Sequence, residues 1–158
     1  EDGFIAGLKN AGVTFFEENK RTSAFTLESG YESALDLLES KCDIDVISCA
    51  TDTIAAGAIE AIQTHLKKQI PTNAADAGAR MRYILENTSI RVTGFGDNQM
   101  LKAVTGGIPT IHFGYKTSGI RGAELLLDSI ERGEQIPIEM KLGFRLVGAD
   151  PSDSENLT

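Results

Sequence analysis

The sequence predicts an α/β protein built on a parallel, doubly wound sheet. Three observations carry that expectation. Helical and extended segments alternate along the chain, the extended segments are short apolar runs, and helix-length stretches separate them. Such an order demands crossover connections, which bring parallel strands side by side with helices on their faces.

Each element follows from local pattern. Phe4, Ile5, Leu8 and Ala11 recur at helical spacing, and Gly12 ends that helix. Val13 to Phe16 is expected as a short strand, followed by a polar loop from Glu17 to Leu27. Tyr31, Ala34, Leu35 and Leu38 mark one face of a helix over Glu28 to Ser40. Asp45 to Ala50 is a continuous apolar strand of the kind buried on both faces. A third helix runs from Thr53 to Leu66, rich in small residues at its start. Ile90 to Phe95 forms the next strand, Met100 to Val104 a short helix and Thr110 to Phe113 a further strand. Ser118 to Arg132 is strongly amphipathic, carrying Leu125, Leu126 and Ile130, and Met140 to Val147 closes the ordered part as a strand. Residues 1–149 thus make one unit, and Asp150 to Thr158 is a polar, frayed tail.

Composition narrows the function. The chain has 158 residues, 41% of them hydrophobic, with only four prolines, as in a soluble globular protein. No apolar run approaches the roughly 20 residues that cross a bilayer. A net charge of −8 lacks the basic footprint that a nucleic-acid backbone requires, so these residues are not expected to touch DNA. Lys67 and Lys68 are the longest basic run, read as a solvated helix end. Cys42 and Cys49 fit neither a redox CxxC motif nor a zinc pattern and are read as buried free thiols, which suit a reducing cytoplasm. There is no GxSxG elbow, no phosphate loop and no ligand cluster at metal-binding spacing. His65 and His112 stand in unrelated contexts, one on a polar helical surface and one in a strand. The expectation is a binding protein without catalytic residues, metal or cofactor.

Ligands of doubly wound sheets sit at the carboxyl ends of the strands. Two loops there carry short polar side chains: Ala50-Thr51-Asp52-Thr53 and Gly94-Phe95-Gly96-Asp97-Asn98. They suit hydrogen bonding to a polyhydroxylated ligand. Thr51, Asp52 or Thr53 equally suits a helix N-cap, and Gly94 and Gly96 equally suit a tight turn.

Several stretches carry a family resemblance. Cys49-Ala50-Thr51-Asp52-Thr53-Ile54-Ala55-Ala56-Gly57-Ala58 resembles the LacI/GalR signature CANDxxAxGA. Ile90 to Asn98 is similar to the family's ISVVGFDD, and Gly114 to Gly119 leads into Ala123 to Leu127, as in the family's helix GxxAxxxLL. Gly3-Phe4 and Glu28-Ser29-Gly30-Tyr31 match further family positions, in the right order. The resemblance implies the C-terminal lobe of a periplasmic-binding-protein-like type I sensor, with the DNA-binding headpiece and the first sensor half upstream. The helix from Ser118 to Arg132 is then expected to pack in the other lobe, leaving apolar surface uncovered here.

The resemblance also implies a sugar-responsive repressor that is cytoplasmic and homodimeric, reaching operator DNA through the absent headpiece and no membrane. The site residues carried over are Thr51, Asp52, Asp97, Asn98 and Tyr115. Thr51 stands where asparagine is commoner, and Gly96 replaces the first aspartate of GFDD, so Asp97 or Asn98 is expected to take over. Tyr115 stands where an aromatic ring often stacks on the ligand, though packing between lobes is an equal reading. The strings around Gly94 and His112 look closest to sucrose- and trehalose-type repressors, implying a disaccharide effector. Residues 72–89 depart from the family as a helical insertion centred on Ala77 to Leu85. An extracytoplasmic sugar-binding protein serving a transporter is the alternative on the same fold.

Overall fold

The computed structural model describes residues 1–40, 43–66, 76–133 and 137–148. The element order is α1 (Asp2–Asn10), a 3-10 turn (Glu17–Asn19), α2 (Leu27–Glu39), β1 (Val46–Ser48), α3 (Asp52–Leu66), α4 (Ala77–Glu86), β2 (Arg91–Thr93), α5 (Gln99–Thr105), β3 (Thr110–Phe113), α6 (Tyr115–Arg132) and β4 (Phe144–Val147). β1 and β2 pair in parallel, with Ile47 opposite Val92, and α3 and α4 lie between them in sequence. Two backbone bonds, from Gly94 N–H to Pro109 and from Gly96 N–H to Ile111, carry the extension of β2 alongside β3. β4 returns antiparallel to β3, with Arg145 opposite His112. The expected α/β class and its parallel pairing hold.

The core lies between α2, α3, α4 and the β1–β2 pair, around Ile59, Ile62 and Ile84. Each such side chain contributes about 1.5–3 kcal/mol through burial. The small residues at the start of α3 have a packing reason. A Cβ on Gly57 would sit 2.2 Å from the backbone oxygen of Leu27, so α2 and α3 touch through their backbones at this point. Helix ends follow side-chain chemistry: Thr26 caps α2 through Ser29 N–H, and Asp76 caps α4 through Ala79 N–H at 2.7 Å.

Three expectations are corrected. Val13 to Phe16 is not a strand: the Val13 N–H bonds back to Leu8 at 2.9 Å, and no described strand lies beside the segment to complete a ladder. The Asp45 to Ala50 strand is shorter and buried on one face only, with Ile47 inward on the core and Val46 54% exposed on the face that no described residue buries. The last strand begins at Phe144 rather than Met140, since only four residues find partners on β3. Elsewhere the shifts are small. α3 starts at Asp52, α5 covers Gln99–Thr105, β2 is trimmed to Arg91–Thr93, and α6 begins three residues early, at Tyr115.

The helix expected near Ala77 to Leu85 is α4. α6 has no buried residue, and Ile120, Leu126, Leu127 and Ile130 are exposed, as expected of an uncovered apolar face. Cys49 is a buried free thiol, and burial followed by the nearby Asp52 carboxylate pushes it up to about 12. Cys42, Lys67, Lys68 and the tail from Asp150 lie outside the described residues. No helix among the described residues is long and apolar enough to cross a membrane.

Candidate functional site

The strand ends converge on one wall. β1 runs into the loop that opens α3, β2 into the loop that opens α5, and β3 into the first turn of α6. These three junctions hold all five residues expected at the site, and hydrogen bonds tie them together.

Asp52 is the hub. Its side chain is buried, its Oδ1 accepts the Thr110 hydroxyl at 2.7 Å, and its Oδ2 accepts the backbone N–H of Asn98. Its own N–H bonds to the Phe95 carbonyl, so the first two loops are stitched by both side chain and backbone. A buried carboxylate without such donors would cost several kcal/mol, which makes the network a condition of the fold as well as of the site. Thr51 Oγ1 accepts the Ile54 N–H at 3.2 Å and so caps α3. Asn98 does the same for α5, accepting the Leu101 N–H at 3.0 Å. The capping role that the sequence left open for the first loop therefore falls to Thr51, and Asp52 reaches across to the second loop.

Asp97 stands in an unusual backbone conformation, with φ at +52°, the one non-glycine described residue in the left-handed region. Such positions cost energy and persist where surrounding bonds impose them. Here the Thr110 hydroxyl oxygen accepts the Asp97 N–H at 3.2 Å, and Gln99 Nε2 donates to its carbonyl. The twist turns the carboxylate inward, where Oδ2 lies 2.7 Å from Nδ1 of His112. The Asp97 side chain is 5% exposed and that of His112 32%, so the imidazole is the member of the pair that meets solvent.

Beside this polar wall runs an aromatic edge. The Phe95 and Phe113 rings lie 4.8 Å apart, Phe113 and Tyr115 6.0 Å, and His112 and Tyr115 6.1 Å. Tyr115 donates its hydroxyl to the Gly96 carbonyl at 3.2 Å while its ring remains largely exposed. Small-molecule sites combine apolar surface with a few placed polar groups in this way.

Thr51, Asp52, Asp97, Asn98 and Tyr115 thus share one edge of the sheet. Sequence reasoning missed Thr110 and His112, which share one face of β3 and serve both aspartates. Their period-two spacing on an apolar strand was the available signal. The hollow beside Asp52, Asp97 and Asn98 measures only about 60 Å³ and is completed by Leu101, Lys102 and Thr110. That is far below the roughly 300 Å³ of a small-molecule pocket, so the described residues do not enclose a complete pocket here. A larger cleft of about 310 Å³ lies elsewhere, between α3 and α4. No group of acidic, cysteine or histidine side chains suited to a metal ion occurs among the described residues.

No protein-family model and no curated protein matches the sequence. Solved structures do match. A transcriptional regulator, CelR, in complex with cellobiose superimposes with a TM-score of 0.72 at 20% identity, over 92% of this chain and 39% of that one. A regulatory protein of the LacI family from Chloroflexus aggregans gives 0.69 at 20% identity, over 91% and 46%. The Escherichia coli transcriptional repressor ascG gives 0.63 at 19% identity, over 92% and 46%. The chain therefore spans less than half the length of these structures. Likeness at this identity shows the fold, and it is the α/β fold expected from the sequence.

Proposed function

We propose that this chain is the C-terminal part of the sugar-sensing module of a LacI/GalR-type transcription regulator, and that it binds its effector without catalysing a reaction. The observation that carries the reading is the wall at the strand ends. Two loops that resemble the family's sugar-binding motifs are locked together through Asp52, next to an exposed aromatic edge. A TM-score of 0.72 to a regulator bound to cellobiose supports the same reading.

In this reading Thr51, Asn98 and Tyr115 present their remaining polar and aromatic surface to the sugar, while Asp52 and Asp97 hold the wall in place. The Thr51 hydroxyl still has a proton to donate after capping α3, and Asn98 still has its amide donors. The opposing wall and the cover for the α6 face belong to the other lobe of the module. A disaccharide such as sucrose or trehalose is the effector. A sugar that binds the closed arrangement of the lobes more tightly shifts the equilibrium, and a cytoplasmic homodimer relays that shift to headpieces on operator DNA. Residues 72–89, of which 76–89 are described and contain α4, are an elaboration of the family pattern.

The test is retention of the promoter DNA by the full-length protein on a native gel, with and without a panel of disaccharides. The expected result is sequence-specific retention that one sugar releases, and a weaker response in Thr51→Ala. Absence of retention under every condition, with sugar binding intact by calorimetry, would replace this reading with that of a transporter's binding protein.

A further inference from the structure

The geometry points to His112 as a sugar-binding group of this wall, with Asp97 as the positioning residue that sets its tautomer. The inference rests on the sugar-binding reading above and changes which side chain meets the ligand. An ionised carboxylate only accepts hydrogen bonds, so the 2.7 Å contact between Asp97 Oδ2 and His112 Nδ1 places the proton on Nδ1. In the neutral imidazole Nε2 then carries a lone pair and is an acceptor.

That atom is free for a ligand. Nε2 makes no hydrogen bond among the described residues, and the imidazole that carries it is 32% exposed. Its surroundings are those of a sugar subsite. The Tyr115 ring stands edge-on to the imidazole at 6.1 Å and continues into Phe113, while Arg145 occupies the cross-strand position opposite. A sugar hydroxyl donating to Nε2 would have its C–H face against these rings.

The distorted backbone of Asp97 has a purpose in this arrangement. With φ at +52° and its N–H held by Thr110, the carboxylate is turned away from solvent and onto the imidazole. A freely exposed Asp97 would be a direct ligand group, whereas a side chain 5% exposed acts through its partner. The loss of the first aspartate of the family motif, where Gly96 stands, leaves room for that substitution of roles. The nearest heavy atom to a Cβ on Gly96 would be the Tyr115 hydroxyl, at 3.5 Å.

The experiment combines imidazole nitrogen NMR and calorimetry on the full-length protein, with sucrose and trehalose as probes. The free protein is expected to show His112 with its proton on Nδ1. His112→Phe, which keeps the ring and removes the acceptor, should weaken sugar binding about tenfold, the size of one lost hydrogen bond. Asp97→Asn can donate to Nδ1 and move the proton to Nε2, as in the serine-protease triad, so it should weaken binding by a similar factor. The two changes together should cost little more than either alone. A proton found on Nε2 in the unaltered protein overturns the inference, as does full affinity in His112→Phe with native binding intact. Either result leaves the sugar-binding reading standing. Absence of binding by both sugars in the unaltered protein, and by the rest of a disaccharide panel, removes that reading and this inference with it.

Discussion

A Cβ placed on Gly94 would lie 2.0 Å from Oδ1 of Asp52, so the glycine at the end of β2 exists to admit the carboxylate that joins the two loops. Gly94→Ala should therefore destabilise the protein by about 1–3 kcal/mol through overpacking. Urea unfolding measures it. The cost should shrink in an Asp52→Ala background, and an undiminished cost there would show that the carboxylate is not the obstacle.

Gly57 makes the same argument for the core. Alanine gains about 1 kcal/mol of helix propensity over glycine, yet here its Cβ would meet the Leu27 oxygen at 2.2 Å and the Tyr31 nitrogen at 2.5 Å. Both are backbone atoms that cannot rotate away. Gly57→Ala should lower the unfolding free energy, read from urea unfolding, by about 2 kcal/mol or more, and a rise would mean that α2 and α3 are farther apart.

The Asp76 carboxylate caps α4 by accepting the Ala79 N–H at 2.7 Å. Asp76→Ala should cost about 1 kcal/mol, and Asp76→Asn much less, since asparagine keeps the acceptor. Equal losses in the two variants would assign the effect to charge.

Cys49 predicts a pH dependence. Burial pushes its thiol from 9.0 up to about 12, so above pH 9 the unfolded chain releases a proton that the folded one keeps. Its contribution to stability is fully present below pH 9 and is lost as pH rises toward 12, at no more than about 1.4 kcal/mol per pH unit. Comparison of unfolding at pH 8 and 10 with that of Cys49→Ala isolates this slope. Disulfide exchange reagents should also react with Cys49 only after unfolding.

The uncovered face of α6 should make the isolated chain bind a fluorescent apolar dye. Leu127 and Ile130 are both more than 60% exposed and lie one turn apart. Leu127→Glu with Ile130→Glu should reduce dye binding while leaving the unfolding midpoint nearly unchanged. A large loss of stability would mean that this face is packed in the isolated chain.

Much of the fold was legible because it is written locally. Helical spacing located α2, α3, α4, α5 and α6, and the apolar run around Ile47 located β1. The failures were of a different kind. Val13 to Phe16 has strand composition, but a strand exists only against a partner, and none of the described residues provides one. For the candidate site, residue types at strand ends marked the two loops that the structure brings together, and the family resemblance added Tyr115. They did not reveal which polar groups are spent inside the wall.

The sequence by itself determined the alternation of elements, the acidic composition without a nucleic-acid footprint, and the two polar loops at the strand ends. All of these depend on residue type and short spacing. Only the tertiary structure decided that Asp52 is the buried hub and that Asp97 faces His112. Those partners are 46 and 58 positions apart for Asp52 and 15 for Asp97. Hydrogen bonds over such separations are set by how strands and loops pack side by side, and no local pattern records them.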